Sequence, residues 1–275
     1  MRRRAPVTLV AGAVIVGIVA AVAIISFLWT PMDPNHTDVA TRFSAPGQHG
    51  HLLGADNLGR DELSMLMAGA RVTLLVGIVT VVVAMAIGIP LGLLALLVRP
   101  LEAVLMRVSD VLLGFPAVLL AILLAAVFGT STLTAMVAIG IAFVPVFARV
   151  VRAAGLQIME QDYVTAARTF GSGRVALAAR HVLPNVAAVI IVQATLAFAI
   201  AILAEAALSY LGLGTPPGTP SWGRMLSQAQ SLVDRAPLLA VWPGVCIAGA
   251  VLGFNLLGDG LRDVLDPRLV ERVAQ

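Results

Sequence analysis

Long apolar runs alternate with shorter polar segments along this chain, and six of the runs are longer than twenty residues. An α-helix rises about 1.5 Å per residue, so about 20 apolar residues cross the roughly 30 Å hydrocarbon layer of a bilayer. The pattern therefore predicts an all-α integral membrane protein embedded in a lipid bilayer. The six predicted transmembrane helices are Val7–Trp29, Val72–Val98, Val104–Phe128, Leu133–Ala154, Val186–Leu208 and Pro237–Leu257.

Composition supports the membrane assignment and excludes two other classes. Only 12% of the residues are charged, whereas soluble domains carry about a quarter. The net charge of +3 does not indicate nucleic-acid binding, because the arginines are spread over the loops between apolar runs. The chain has no lysine, so it lacks the residue with which a Walker A loop reaches the ATP phosphates. Any ATP-driven step must therefore come from another polypeptide.

The distribution of arginine predicts the direction of insertion. The first apolar run follows three arginines, as a signal peptide does, but it is longer than the usual signal core of about 7–15 residues, so we expect a retained anchor. With the N-terminus inside, 13 arginines fall in inner segments and 5 in outer segments. Positive residues favour the cytoplasmic side, so we expect both termini in the cytoplasm.

Three parts of the chain follow from this topology. Residues 1–70 form an N-terminal anchor helix and an extracellular loop, residues 71–258 form the transmembrane core, and residues 259–275 form a cytoplasmic tail. The core contains a cytoplasmic segment, residues 155–185, which we call the inner loop. Long loops are uncommon unless they have a function, so function is sought here and in the outer loops.

The inner loop is predicted to form two helices separated by a glycine-rich turn. Residues 157–170 are good helix formers, and Gly171 and Gly173 end this helix because glycine tolerates the left-handed cap conformation. A second short helix begins at Arg174. It is expected to end before Pro184, because the residue ahead of a proline is disfavoured in helical geometry.

Ala166-Ala167 with Gly171, followed by His181-Val182-Leu183-Pro184-Asn185, resembles the EAA loop of ABC importer permeases. The resemblance implies a coupling helix that docks on a cytoplasmic ATPase. Thr165 stands where the family usually has the glutamate of the motif, so Glu160 or Asp162 is a candidate to supply that charge. An ordinary amphipathic loop is the alternative. The implied coupling residues are Asp162, Tyr163, Thr165, Ala166, Ala167, Arg168, Gly171, His181, Leu183 and Pro184.

Three further segments narrow the resemblance to the C-type subunit of dipeptide, oligopeptide and nickel permeases. They comprise residues 53–74, 205–223 and 254–268. The resemblance implies a type I importer transmembrane domain that is not itself catalytic and binds no cofactor or metal. Its implied partners are a second, different permease, two ATPases that carry ATP and Mg, and an extracellular solute-binding protein. We expect peptides as the solute, with nickel, haem or another small solute as alternatives.

A few polar residues are further candidates for function. Ionisable groups inside a membrane are costly and are functional candidates by default, and Asp110 and Glu205 qualify. Asp110 is expected to pair with Arg107, one helical turn away. Glu205 and Trp222 are candidates for contact with the pore or the outer loop, with a hydrated Glu205 near the headgroups as the alternative. The outer-loop histidines, His36, His49 and His51, have no carboxylate or cysteine at ligand spacing and are weak evidence for a metal.

Rival functions lack their signatures in this sequence. A stand-alone secondary transporter is expected to show inverted repeats with matching broken helices, and no convincing repeat is present. A membrane zinc protease is expected to carry His-Glu-x-x-His and a serine hydrolase Gly-x-Ser-x-Gly, and neither motif occurs. A membrane scaffold has no need of a patterned cytoplasmic loop.

Overall fold

The computed structural model describes residues 6–265 and confirms an all-helical membrane protein. The predicted cytoplasmic arginines Arg2, Arg3 and Arg4 and the tail residues 266–275 lie outside this range. In chain order the helices are α1 (Val7–Leu28), α2 (Glu62–Leu97), α3 (Arg99–Leu113), α4 (Ala117–Phe128), α5 (Thr132–Met159), α6 (Asp162–Thr169), α7 (Arg174–Leu177), α8 (Leu183–Tyr210), α9 (Trp222–Ala229) and α10 (Leu238–Leu265).

Within the described residues, five helices are long and apolar enough to cross a membrane, and the bent pair α3–α4 makes six crossings when it is counted as one span. This number agrees with the six predicted runs. Helix α2 begins ten residues before the predicted start at Val72, because the Asp61 side chain caps it by accepting the backbone N–H of Ser64 at 2.9 Å. With 36 residues, α2 is about 54 Å long and extends well beyond the hydrocarbon layer.

The third crossing differs from the prediction of one continuous helix over Val104–Phe128. The chain bends by 89° between α3 and α4, at the segment Gly114-Phe115-Pro116. Pro116 has no backbone N–H and disfavours helical geometry at Phe115, so the helix ends there. With 12 residues, α4 is only about 18 Å long, and α3 leaves it nearly at a right angle.

The packed centre of the molecule is the crossing of α2 and α5, flanked by α4 and α8. Glycine permits the close approach, because a Cβ at Gly88 would lie 2.7 Å from the Phe147 Cβ and one at Gly92 would lie 2.6 Å from the Ala148 carbonyl oxygen. Phe147 and Ile139 of α5 are fully buried in this core.

Helix α1 lies at the periphery, where it packs on α10 and α2. Gly12 sits directly on the backbone of Leu257, and Gly260 sits on Leu9. The opposite face of α1 is exposed, as expected for a helix that borders lipid. Arg71 of α2 donates a hydrogen bond to the Ser26 hydroxyl at 2.6 Å, which joins α1 to the N-terminal part of α2.

A folded outer cap, residues 30–61 and 211–237, covers the end of α2 that extends beyond the membrane. His51 is buried and its Nδ1 lies 3.0 Å from Oδ1 of Asp61, the capping residue of α2. Arg60 donates to Gln228 of α9 at 3.0 Å, so the two outer segments are joined to each other. The outer loops are therefore ordered parts of the fold.

Candidate functional site

The inner loop begins with a break that the sequence does not reveal. The predicted helix over 157–170 is in fact two pieces, because α5 continues to Met159 and α6 starts at Asp162. Gln161 adopts an extended conformation between them, with φ −72° and ψ 144°. Helix α6 is therefore a separate short helix that follows the end of the long helix α5.

Gly171 ends α6, as predicted. Its φ is +85°, a left-handed conformation that glycine adopts without steric cost. The Ser172 N–H donates to the Ala167 carbonyl at 3.1 Å, and the Gly171 N–H donates to the Arg168 carbonyl at 3.0 Å. These two bonds form the Schellman motif, which satisfies carbonyls at the helix end. Gly173 has φ −67° and instead precedes α7, so only Gly171 requires glycine for its conformation.

The second inner-loop helix does not end before Pro184, contrary to the prediction. The chain stays helical from Arg174 to Tyr210, through α7, a π-helical turn at Ala178–Val182 and α8. The Leu183 N–H donates to the Ala178 carbonyl, five residues back. A proline removes an i→i−4 bond and its ring crowds the preceding turn, and the wider π-turn accommodates both effects. The inner loop is therefore continuous with the α8 span.

Contacts to two spans hold the inner loop in place. The Arg174 guanidinium donates to the Leu97 carbonyl at 3.1 Å, at the end of α2. Tyr163 of α6 accepts a hydrogen bond from the Asn185 side chain of α8 at 3.3 Å, and its ring lies 5.9 Å from that of His181. Val164 is the one fully buried residue of α6. These contacts join α6 to α8 and α7 to the end of α2.

The remaining surface of α6 is exposed. Thr165 and Asp162 lie on it, and Glu160, at the end of α5, is exposed as well. Asp162 and Glu160 are the two acidic residues expected to supply the charge that Thr165 lacks. The exposed inner-loop residues from the sequence-derived set are Asp162, Tyr163, Thr165, Ala166, Arg168, Gly171, Leu183 and Pro184, whereas Ala167 and His181 are partly buried.

Two apolar residues beside the glycine turn were missed as site residues. Phe170 is 90% exposed and Val175 is 80% exposed, on either side of Gly171. A sequence signal exists, because both are large apolar side chains in a polar, glycine-rich segment outside the membrane. Phe170 and Val175 are therefore added to the candidate surface residues of the inner loop.

Glu205 is a structural link in the outer part of α8. The residue is 1% exposed, so the alternative of a hydrated carboxylate is wrong. Its Oε1 accepts hydrogen bonds from Ser209 at 2.6 Å and Thr215 at 3.1 Å. Thr215 belongs to the outer cap, so Glu205 fixes the cap to α8.

Trp222 fixes the cap to α2. It is 3% exposed, and its indole N–H donates to the Leu66 carbonyl at 2.9 Å. A Cβ at Gly69 would lie 2.7 Å from the Trp222 ring, so the indole packs directly on the helix backbone. Glu205 and Trp222 both contact the outer cap region, and neither side chain faces open space in this chain.

The helical spacing predicted an ion pair between Asp110 and Arg107, and this prediction is wrong. It forms an ion pair with Arg149 of α5, because the bend at Pro116 lays α3 across that helix. A second pair, Glu102 with Arg152, joins the same two helices. The tertiary arrangement thus overrides the local i,i+3 pairing.

The outer-loop histidines have separate surroundings. His51 is bonded to Asp61, and His49 lies 3.1 Å from the Ser44 hydroxyl. Across residues 6–265, no three side chains of histidine, cysteine, aspartate or glutamate come together in a way that suits a metal ion.

Comparison with known proteins identifies a family and several relatives of this chain. Residues 84–271 match the family described as the binding-protein-dependent transport system inner membrane component. A peptide transport system permease protein of Brucella suis is 43% identical over 94% of this chain and 87% of its own length. A di/tripeptide transport system permease protein of Pseudomonas aeruginosa is 47% identical over 81% of this chain and 74% of its own.

The fold also resembles a solved structure. The MetNI methionine ABC transporter, in an inward-facing conformation, aligns with a TM-score of 0.62 at 19% identity. The alignment covers 74% of this chain and 96% of the matched chain. At this identity the likeness establishes the fold, which is that of a type I importer transmembrane domain.

Proposed function

Because the chain belongs to the family of binding-protein-dependent transport system inner membrane components, we propose that it forms half of the pore of an ATP-driven importer for di- and oligopeptides. The chain is a multi-pass membrane protein and a permease subunit of an ABC transporter. The peptide solute is supported by the names of relatives that are 43% and 47% identical to it.

The observation that carries the coupling role is the presentation of α6. This helix lies outside the spans, ends at the Gly171 turn and is followed by the exposed Phe170. Val164 is buried, and Tyr163 is hydrogen-bonded to Asn185 of α8. Beyond the turn, Arg174 of α7 is bonded to the end of α2. A short, firmly held helix with an exposed apolar end suits docking into a groove of an ATPase. The partner ATPases carry ATP and Mg, and this chain has no catalytic role and binds no cofactor.

The proposed transport cycle follows from these contacts. Two cytoplasmic ATPases close on ATP and move the inner loops of this chain and of a second, different permease. The displacement reaches α2 through Arg174 and α8 through the continuous helix from Arg174 to Tyr210. The pore then opens to the outside, where an extracellular solute-binding protein delivers the peptide. Both termini and the inner loop lie in the cytoplasm of the bacterium, and the spans lie in its plasma membrane.

Uptake of a labelled dipeptide tests the proposal. The complete transporter is reconstituted in proteoliposomes, with the binding protein and the dipeptide on one side of the membrane and the ATPases on the other. The dipeptide is expected to accumulate on the side of the ATPases, and only when ATP is present on that side. Labelled nickel and haem serve as competing solutes in parallel assays. Accumulation of either of these without dipeptide uptake would overturn the peptide assignment.

The substitution Arg174→Gln is expected to weaken coupling. It removes a cation that lies at the C-terminal end of α2, an interaction worth about 0.3–1 kcal/mol. We expect the number of dipeptides transported per ATP hydrolysed to fall about two- to fivefold, the ratio to which such an energy corresponds. Coupled measurements of uptake and ATP hydrolysis in proteoliposomes provide this number.

Arg180→Gln is the matched control, since Arg180 is also exposed in the inner loop and makes no side-chain hydrogen bond or ion pair within residues 6–265. It removes the same charge and is expected to leave the ratio unchanged. Equal losses in both variants would mean that the contact with α2 has no special role.

A further inference from the structure

Three carboxyl groups lie where the outer cap meets the first turn of α2. Asp56, Asp61 and Glu62 are all buried. Asp56 accepts hydrogen bonds from the backbone and the side chain of Arg60. Asp61 accepts both the backbone N–H and the hydroxyl of Ser64. Each of the two aspartates therefore has donors of its own.

Glu62 differs from the two aspartates because its side chain has no such donor. The residue is 2% exposed, and within residues 6–265 no group donates a hydrogen bond to its buried Oε1. Arg60, the cation that acts on it, is already paired with Asp56 and bonded to Gln228. A buried carboxylate without a donor is far more costly than a neutral carboxylic acid. The surroundings of Glu62 therefore favour its protonated form.

A small cavity lies beside Glu62, between α2 and α9. Asp56 and Met225 also line it, and it has room for about one water molecule. Asn57 and Gln228 form part of its wall, and both residues are exposed. A proton can therefore pass between the Glu62 side chain and solvent at this edge of the cavity.

The charges around Glu62, which belongs to the part of α2 before the apolar run, come from the outer cap and from α10. Burial raises the pKa of Glu62 to about 8, and the negative charge of Asp56 acts in the same direction. Arg60 lowers this pKa, and Asp61 raises it further. On α10, Cys246 is the titratable group that interacts with Glu62, and the cavity-lining residues of α9 carry no charge. A helix N-terminus favours a negative charge, but Asp61 already supplies one as the cap of α2.

We propose that Glu62 is a proton-binding site that fastens the outer cap to α2. With the proton bound, the carboxyl groups of this junction carry only the negative charges of Asp56 and Asp61. Loss of the proton adds a third charge in a buried position that lacks a donor, so the cap must move to admit water to it. The packing of the outer cap thus depends on the pH of the compartment that the cap faces. This inference goes beyond the proposed function and does not depend on the identity of the solute.

The effect of this proton on stability has a definite sign. The pKa of Glu62 is raised from 4.5 to about 8 by folding, so the stabilisation is complete below pH 4.5, declines with rising pH and is lost above about pH 8. Glu62→Gln cannot ionise and provides the neutral reference, with Glu62→Met as a second neutral variant. Between about pH 6 and about pH 9, we expect the apparent melting temperature of the purified wild-type complex in detergent to fall by about 5 °C relative to Glu62→Gln.

Asp234→Asn is the matched control for the melting experiment. Asp234 is an exposed residue of the same outer cap, and its carboxyl group makes no hydrogen bond or ion pair within residues 6–265. Removal of its charge is expected to leave the dependence of the melting temperature on pH as in the wild type. A melting temperature that depends on pH in the same way in wild type, Asp234→Asn and Glu62→Gln would overturn the proposal.

Infrared spectroscopy detects the proton itself, because a protonated carboxyl group has a carbonyl band that the carboxylate lacks. The difference spectrum between wild type and Glu62→Gln isolates the band of Glu62 from that of every other carboxyl group, since the others are present in both proteins. The band is expected at about pH 6 and is expected to disappear as the pH rises through about 8. A side chain with only a packing role would not give a band that titrates in this range.

Limited cleavage by trypsin after Arg60 reports on the cap. The Arg60 side chain is held by Asp56 and Gln228, so cleavage there requires this part of the cap to open. Wild type and Glu62→Gln are compared at the same pH, because trypsin itself responds to pH. Cleavage rates are expected to be equal at about pH 6 and roughly threefold higher in wild type at about pH 9. Equal rates at both pH values, or no carboxylic acid band for Glu62 at about pH 6, would overturn the proposal.

Discussion

Replacement of Gly171 by valine is expected to abolish most dipeptide uptake. The residue has φ +85°, and a side chain with a branched Cβ in that conformation costs on the order of 1–3 kcal/mol. No neighbouring atom lies within 4 Å of the added Cβ position, so the whole effect arises from the backbone. We expect the turn after α6 to adopt another conformation, the exposed end of α6 to lose its docking geometry and uptake to fall at least tenfold. Uptake and ATP hydrolysis by the reconstituted transporter measure both consequences.

Gly173→Val is the matched control for this experiment. Gly173 also has no atom within 4 Å of an added Cβ, but its φ of −67° is open to any residue. The control is expected to retain normal uptake. Gly171→Asn is expected to retain part of the activity, because asparagine tolerates the left-handed region better than other residues. Full activity of Gly171→Val would show that the left-handed turn is dispensable for coupling.

Replacement of Trp222 by alanine is expected to destabilise the protein more than any surface change. The indole is 3% exposed, packs on Gly69 and donates to the Leu66 carbonyl. Removal of a buried tryptophan typically costs about 3–5 kcal/mol. We expect the apparent melting temperature of the purified complex in detergent to fall on the order of 10 °C. Thermal unfolding followed by intrinsic fluorescence or light scattering measures the change.

Trp29→Ala is the matched control, because Trp29 is 60% exposed at the end of α1. Its removal is expected to change stability by less than about 0.5 kcal/mol. Trp222→Phe is expected to be intermediate, since it keeps most of the packing and loses the hydrogen bond. Equal melting temperatures for Trp222→Ala and Trp29→Ala would contradict the role assigned to Trp222 in fixing the outer cap.

Local features of the chain predicted the membrane fold and the ABC permease family. Apolar runs report membrane crossings because hydrocarbon imposes the same length and polarity on every span, whatever its neighbours. The stop at Gly171 was predicted for a similar reason, since a left-handed cap depends on one residue's own backbone. The order of the short motifs sufficed to recognise the family, and residues 84–271 bear out that recognition.

Two helix boundaries were not predicted, because each is set by residues outside the apolar run that marks the span. Helix α2 begins at Glu62 because Asp61, itself held by His51, supplies a cap outside the apolar run. Pro184 was expected to end a helix, but the π-turn before it and the packing of α8 keep the helix continuous.

The charged residues show best which features follow from the sequence and which follow only from the tertiary structure. The sequence identified Asp110 and Glu205 as unusual, because the position of a carboxylate within an apolar run is evident from the sequence alone. Their partners were decided by tertiary structure: the bend at Pro116 brings Asp110 to Arg149, and the fold of the outer cap brings Thr215 to Glu205. Sequence thus determines which segments enter the membrane, because insertion depends on the free energy of transferring each segment from water to the hydrocarbon layer. Only the packed structure determines which polar groups meet, since that depends on positions far apart in the chain.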